Sequence, residues 1–245
     1  MTIFVIKIIA CLTMVIDHIR YAIPTLNEYF IFKYFGRVSF PLFAFCLVEG
    51  YTHTSDLKKY IKRLLIFAFI SQIPFTLFSS LVEKCDILEV RKLNIMFTLY
   101  LGMLSIILYE KSENKFVGFL LTILVAIFGM ILKVDYLWYG VMMCFVLFIS
   151  RKNKKVQCIS YIFLVLLYYA YGIWYRYAKK FLPLSLYDFI KSYKKNVPSI
   201  LFTIIPIIFF VMYNGKKGKE IKGFRYFYYV FYPVSCLVFY LISLI

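Results

Sequence analysis

The sequence predicts an all-α integral membrane protein: a polytopic bundle of about nine transmembrane helices that forms one domain over residues 1–245. Of the 245 residues, 63% are hydrophobic, 21% are aromatic and only 17% are charged. That composition lies outside the range of soluble globular domains. Apolar runs close to the roughly 20 residues that cross a bilayer recur along the whole chain, and no long polar segment separates them.

The apolar runs define the predicted helices, at roughly 15 to 22 residues per crossing. The first run follows no basic segment and ends at no small-residue cleavage site, so we interpret it as a retained helix. Prolines inside the runs can kink helices around a cavity, although such kinks are equally common in bundles that bind nothing. The nine spans cover residues 3–23, 34–52, 61–82, 95–110, 116–133, 135–150, 157–176, 198–213 and 226–245.

Most basic residues lie between the predicted spans. The net charge is +17, which in a soluble chain would suggest nucleic acid binding, but short clusters between apolar runs are typical of topology signals that hold anionic membrane lipid. Four clusters share one side of a nine-helix path, which predicts a cytoplasmic N-terminus: 58–63, 110–115, 151–155 and 216–225. The basic connector 176–197 falls on the other side. It is either an interfacial amphipathic segment or a sign that the helix count is wrong by one.

No metal site is predicted. The six cysteines are scattered without the paired spacing of a zinc site or a disulfide framework. The chain has two histidines, His18 and His53, which are too few for a site of several imidazoles.

Charged residues inside apolar spans are the candidate functional residues, because each costs at least about 2.5 to 3.5 kcal/mol in hydrocarbon. Asp17 and Arg20 are three residues apart and can pair on one helix face, whereas His18 points about 100° away from Asp17. In an antiparallel hairpin, Arg37 reaches a similar depth and can pair with Asp17. Such charges either serve chemistry or only pin two helices together. His18 is the best candidate general base, since its unperturbed pKa is near neutrality.

Other charged positions have weaker interpretations. Glu49 closes the second apolar run, and Lys133 and Asp135 fall at a span boundary, where we interpret the latter two as interface residues. The connector after Glu49 can hold phosphates at the N-terminus of the third helix, capped by Ser55 or Asp56. Phospholipid headgroups suit the same cations, and a solvated loop suits His53. The cations of this connector are Lys58, Lys59, Lys62 and Arg63.

Several sequence blocks together resemble the TraX family over nearly the whole chain. They include IKIIACLTMVIDHIRYAI, KYFGRVSFPLFAFCLVEGYTHT, NIMFTLYLGML, YNGKKG and YVFYPVSCLV. The most specific are the Asp17-His18 pair, the GRxxFPLFAFxxxEGYxxT block over residues 36–54 and the YNGxxG block over residues 213–218.

The resemblance implies a polytopic protein of the bacterial cytoplasmic (inner) membrane that transfers an acetyl group from acetyl-CoA to an amine. The acceptor would be a peptide or protein N-terminus, as in the N-acetylation of conjugative pilin. His18 would be the base, with Asp17, Arg37 and Glu49 as orienting charges. The nucleotide of acetyl-CoA would bind on the cytoplasmic side, where the cation set is His53, Lys58, Lys59, Lys62 and Arg63.

One position departs from the family pattern. Where family members commonly read YPxHL, this chain has Ser235 in place of the histidine. Two other functions therefore stay open: a proton-coupled transporter or exporter, and a non-catalytic membrane partner of a peptide-processing system. The sequence leaves the oligomeric state open.

Overall fold

The computed structural model describes residues 1–180, 182–219 and 224–244. It is 82% helix and contains no β-strand within these ranges, so the predicted all-α class is confirmed. Short 3₁₀ turns at Pro24–Glu28 and Ile87–Glu89 follow the first and third helices. The helices are α1 (Ile3–Ala22), α2 (Phe30–His53), α3 (Leu57–Glu83), α4 (Ile95–Lys111), α5 (Lys115–Ile131), α6 (Leu137–Ser150), α7 (Lys154–Lys179), α8 (Leu186–Ile204), α9 (Pro206–Met212) and α10 (Phe224–Ile242).

Three continuous helical segments within the described ranges are long and apolar enough to cross a membrane: Leu57–Glu83, Lys154–Lys179 and Leu186–Met212. Shorter apolar helices occupy Lys115–Ile131, Leu137–Ser150 and Tyr226–Ile242. The first two helices, α1 and α2, have sufficient length, but each carries three charged residues. The apolar helices support a membrane protein, and the count of nine crossings stays a prediction.

Contacts between distant segments show which helix ends lie together. The Met1 amino group donates to the Met212 carbonyl, and Lys154 Nζ donates to the Val211 carbonyl at 2.7 Å. The Tyr51 hydroxyl donates to Glu110 Oε2 at 2.6 Å. These contacts bring together the start of α1, the ends of α2, α4 and α9, and the start of α7. We call this the basic end, because the described parts of all four predicted basic clusters lie there.

The basic segment 176–197 lies at the opposite end of the bundle. Most of it is helix rather than connector, because α7 continues to Lys179 and α8 begins at Leu186, where the Ser185 hydroxyl caps it by accepting the Asp188 backbone N–H at 3.1 Å. The α8 helix is followed directly by α9, which begins at Pro206 after a one-residue break at Ile205. The described part of this basic segment is therefore mostly the end of α7 and the first half of α8.

The helices pack around a core shared by most of the bundle. The first helix packs along α2, α10 lies against α3 and α1, and α4, α5 and α6 form a mutually packed group. Aromatic rings from distant segments meet at the centre, as in the stacked Phe45 and Phe210 rings, whose centroids are 4.7 Å apart. This arrangement leaves α1, α2, α3 and α10 around a large internal space.

Candidate functional site

A cavity of about 1230 Å³ lies between α1, α2, α3 and α10. It is larger than most small-molecule sites, which measure about 300–1,000 Å³. Its walls reach from Asp17 and Arg37 at the opposite end to Glu49 and Lys59 at the basic end. Arg37 and Glu49 are 12 positions apart along α2, which corresponds to a helical rise of about 18 Å, so the cavity extends over about that length.

The Asp17 carboxylate is held by its own helix and by α2. Its Oδ1 accepts the Arg20 Nε–H at 3.0 Å, which confirms the pairing predicted from the three-residue spacing. The carboxyl group packs directly on the backbone of Gly36, where any Cβ would overlap it. Glycine at this position therefore allows a carboxylate of α1 to sit against the α2 backbone.

His18 faces a different wall of the cavity. Its ring lies 4.5 Å from the Phe78 ring and 6.1 Å from the Phe239 ring, measured between centroids, so it points toward α3 and α10. Its Nδ1 atom is buried and has no hydrogen-bond partner within the described ranges. A buried polar atom without a partner is rare in folded proteins, so His18 is a polar group that its protein surroundings do not satisfy.

Arg37 lies in the same part of the cavity without an ion-pair partner among the residues that the structure describes. Its electrostatic neighbours are three tyrosines, Tyr169, Tyr136 and Tyr168, followed by Asp17. The predicted Asp17–Arg37 contact is not formed at ion-pair distance in the described ranges, where Asp17 pairs with Arg20. The guanidinium therefore faces the cavity with donors that a ligand can use.

The structure adds a residue that the sequence interpretation left out. Asp135 lines the cavity together with Asp17, His18 and Arg37, although its position at a span boundary indicated an interface residue. The turn that joins α5 to α6 folds back onto the bundle, with Asp135 N–H donating to the Leu93 carbonyl at 2.9 Å. A turn too short to reach water was the signal available in the sequence.

Glu49 is not brought to Asp17 and His18. It lies at the basic end, where its Oε2 is 3.8 Å from His53 Nδ1 and where it accepts a hydrogen bond from the Tyr213 hydroxyl. Helix α2 separates it from Arg37 by more than three turns. Glu49 therefore belongs to the basic mouth of the cavity, and its expected place among the orienting charges is corrected.

The predicted phosphate-binding cations divide into two groups. His53, Lys59 and Arg63 line the cavity, whereas Lys58 and Lys62 are exposed outside it. The reason is helical periodicity, since residues 59 and 63 share one face of α3 while 58 and 62 share the next. Cations that the sequence interpretation missed also line this mouth: Lys7, Lys217 and Lys219.

Asp56 organises this mouth as the N-cap of α3. Its carboxylate accepts the backbone N–H of Lys59 at 2.9 Å and pairs with Lys59 Nζ, also at 2.9 Å. The hydrogen bond from the Lys59 backbone lowers the pKa of the Asp56 carboxyl below its usual value. The cap thus fixes the start of α3, which sets the direction of the Lys59–Arg63 face.

Ser235 lies in the core rather than on the cavity wall. It is buried, and its hydroxyl donates to the Tyr232 carbonyl at 2.8 Å, one turn earlier in α10. Tyr232 lines the cavity, and Phe239 contacts the His18 ring one turn beyond Ser235.

No group of three or more potential metal ligands occurs in the part of the chain that the structure describes.

The chain is similar to known proteins over nearly its whole length. The chain is 30% identical to a probable fimbrial assembly protein (FimC, serogroup H1) of Dichelobacter nodosus, over 94% of this chain and 91% of that protein. No solved structure matches the chain. The family model described as TraX protein matches residues 4–243. The match includes every residue of the cavity wall named above, and the chain belongs to the TraX family.

Proposed function

We propose that the chain is a membrane-embedded acyltransferase that transfers the acetyl group of acetyl-CoA to an amine at a peptide or protein N-terminus. The observation that carries the proposal is one cavity with a cationic mouth at the basic end and with His18, Arg37 and Asp17 on its wall at the other end. The relationship to a probable fimbrial assembly protein supports a fimbrial or pilus subunit as the acceptor.

The basic mouth suits the anionic nucleotide part of acetyl-CoA. Lys59, Arg63 and Lys217 line it, and cations beside a helix N-terminus favour phosphate groups. From Lys7 to His18 the first helix rises about 16 Å. The flexible pantetheine arm of CoA suits this stretch, whose walls include Met14 and Phe43.

The deep end can support attack of the amine on the thioester. The amine nitrogen forms a bond to the acetyl carbonyl carbon, the carbon–sulfur bond breaks, and the departing sulfur leaves as CoA thiolate. His18 accepts the proton that the amine loses and can return a proton to the thiolate. The Arg37 guanidinium stabilises the negative charge that develops on the carbonyl oxygen.

Incubation of the purified protein with acetyl-CoA and a candidate subunit peptide tests the proposal. Mass spectrometry should show an addition of about 42 Da on the N-terminal amine, matched by release of CoA. Proton-coupled flux in proteoliposomes without acetyl transfer would instead support a transporter. Peptide binding with no affinity for acetyl-CoA would support a non-catalytic partner, and either result would overturn the acyltransferase.

The two faces of α3 give a matched test of the donor site. The double substitution Lys59→Gln and Arg63→Gln should weaken acetyl-CoA binding about tenfold or more, because contacts between cations and phosphate are charge-assisted. The double substitution Lys58→Gln and Lys62→Gln removes the same charge outside the cavity and should change affinity little. Calorimetric titration of acetyl-CoA measures both, and equal losses would show that only net charge matters.

A further inference from the structure

Asp135 is a carboxylate on the cavity wall that has no ion-pair partner within 4 Å in the described ranges. Two other acids of the opposite end have ion-pair partners, since Asp17 binds Arg20 at 3.0 Å and Glu83 binds Lys92 at 2.6 Å. Within the described ranges, Asp135 forms no ion pair, and its carboxylate accepts one hydrogen bond, from the Tyr136 backbone at 3.1 Å. A half-buried charge left without a partner is costly, which suggests that a ligand completes it.

The protein fixes the Asp135 backbone from two sides. Its N–H donates to Leu93, and its carbonyl accepts the Thr98 hydroxyl of α4. Three nearby residues, Lys133, Tyr136 and Leu137, have positive φ angles of 53°, 60° and 48°. Non-glycine residues in this region cost about 1–3 kcal/mol each and persist where the surroundings impose them. The direction of the Asp135 carboxylate is thus built into the turn.

The surroundings define the chemistry of the missing partner. The cavity wall at this depth carries Phe40, Phe75, Met96 and Leu99, which suits an apolar chain. Arg37 faces the same space but is not paired with Asp135, so the two opposite charges remain available to separate groups of a ligand. One carboxylate and an apolar wall suit a primary ammonium.

We propose that Asp135 binds the protonated amino group of the acceptor, so that the acceptor is an apolar peptide or other apolar chain ending in a primary ammonium. This inference rests on the proposed function for the identity of its ligand. In the acyl-transfer step, the ammonium held by Asp135 loses its proton to His18 before the nitrogen attacks the thioester. Asp135 selects and places the amine, while His18 takes the proton.

Direct binding tests the site without any catalytic step. The probes are the apolar hexapeptide amide Leu-Ala-Leu-Ala-Leu-Ala with a free amino terminus and its N-acetylated form, titrated against the protein in lipid nanodiscs without acetyl-CoA. We expect the native protein to prefer the free amine about tenfold or more. Asp135→Asn should abolish this preference, and Asp135→Glu should retain part of it.

Asp86→Asn is the matched control, because Asp86 is an exposed acid outside the cavity wall. This variant should prefer the free amine over the acetylated peptide as strongly as the native protein does. A native protein that binds both peptides equally, or an Asp135→Asn variant that keeps the full preference, overturns the ammonium site. Acetyl-CoA titration separates the two proposals. If the protein prefers the free amine through Asp135 but does not bind acetyl-CoA, the ammonium site stands and the acyltransferase proposal is refuted.

Discussion

Replacing His18 by alanine is expected to lower acetyl transfer about 10²- to 10⁴-fold, the usual contribution of a positioned general base. His18 is the imidazole at the deep end of the cavity, and its Nδ1 atom has no partner within the described ranges. The loss should fall on kcat rather than on acetyl-CoA affinity, because the donor mouth lies about 16 Å away along α1. CoA release at saturating substrates measures it.

Met14→Leu provides the packing control for His18→Ala. Met14 lines the same cavity one turn before His18, and a swap of similar volume usually costs less than about 1.5 kcal/mol. Both variants should bind acetyl-CoA and unfold cooperatively near the native temperature. Undiminished transfer by His18→Ala would remove His18 as the base, and equal losses in both variants would indicate a packing role.

Much of the fold follows from the apolar runs. The predicted run 95–110 becomes Ile95–Lys111, and 116–133 becomes Lys115–Ile131, because each run is bounded by polar residues that cap or solvate a helix. The exception is α8, which begins at Leu186, whereas hydropathy placed a span only from residue 198. Its first half contains Asp188, Lys191, Lys194 and Lys195, which lower its hydropathy, although α8 as a whole packs against α7 and α2.

The candidate site is less predictable, because it depends on contacts between distant segments. Spacing within one helix was enough to pair Asp17 with Arg20. The short turn before α6 indicates only that Asp135 stays close to the bundle, and its place on the cavity wall depends on the pairing of that turn with Leu93. Glu49 is the opposite case. Its position in an apolar run suggested an orienting role at the catalytic site, but its distance along α2 places it at the basic mouth of the cavity.

Gly36→Ala is expected to destabilise the protein by about 1–3 kcal/mol, the usual cost of overpacking a close contact. A methyl group at this position would overlap the Asp17 carboxyl group, which is also held by Arg20. Either α1 and α2 move apart or Asp17 turns away from Arg20. A lower midpoint of thermal unfolding in detergent measures the first outcome, and reduced acetyl transfer at low temperature detects the second.

Gly172→Ala is the matched control, because a Cβ on Gly172 meets nothing within 4 Å in the described structure. Alanine favours a helix interior by up to about 1 kcal/mol over glycine, so this variant should raise the unfolding midpoint slightly. If the Asp17 contact causes the Gly36→Ala loss, the same substitution in an Asp17→Ala background should cost much less, giving a coupling energy in a double-mutant cycle. A Gly36→Ala variant as stable as Gly172→Ala would show that α1 and α2 are not closely packed at Asp17. The carboxylate would then lack the fixed position that separates it from His18.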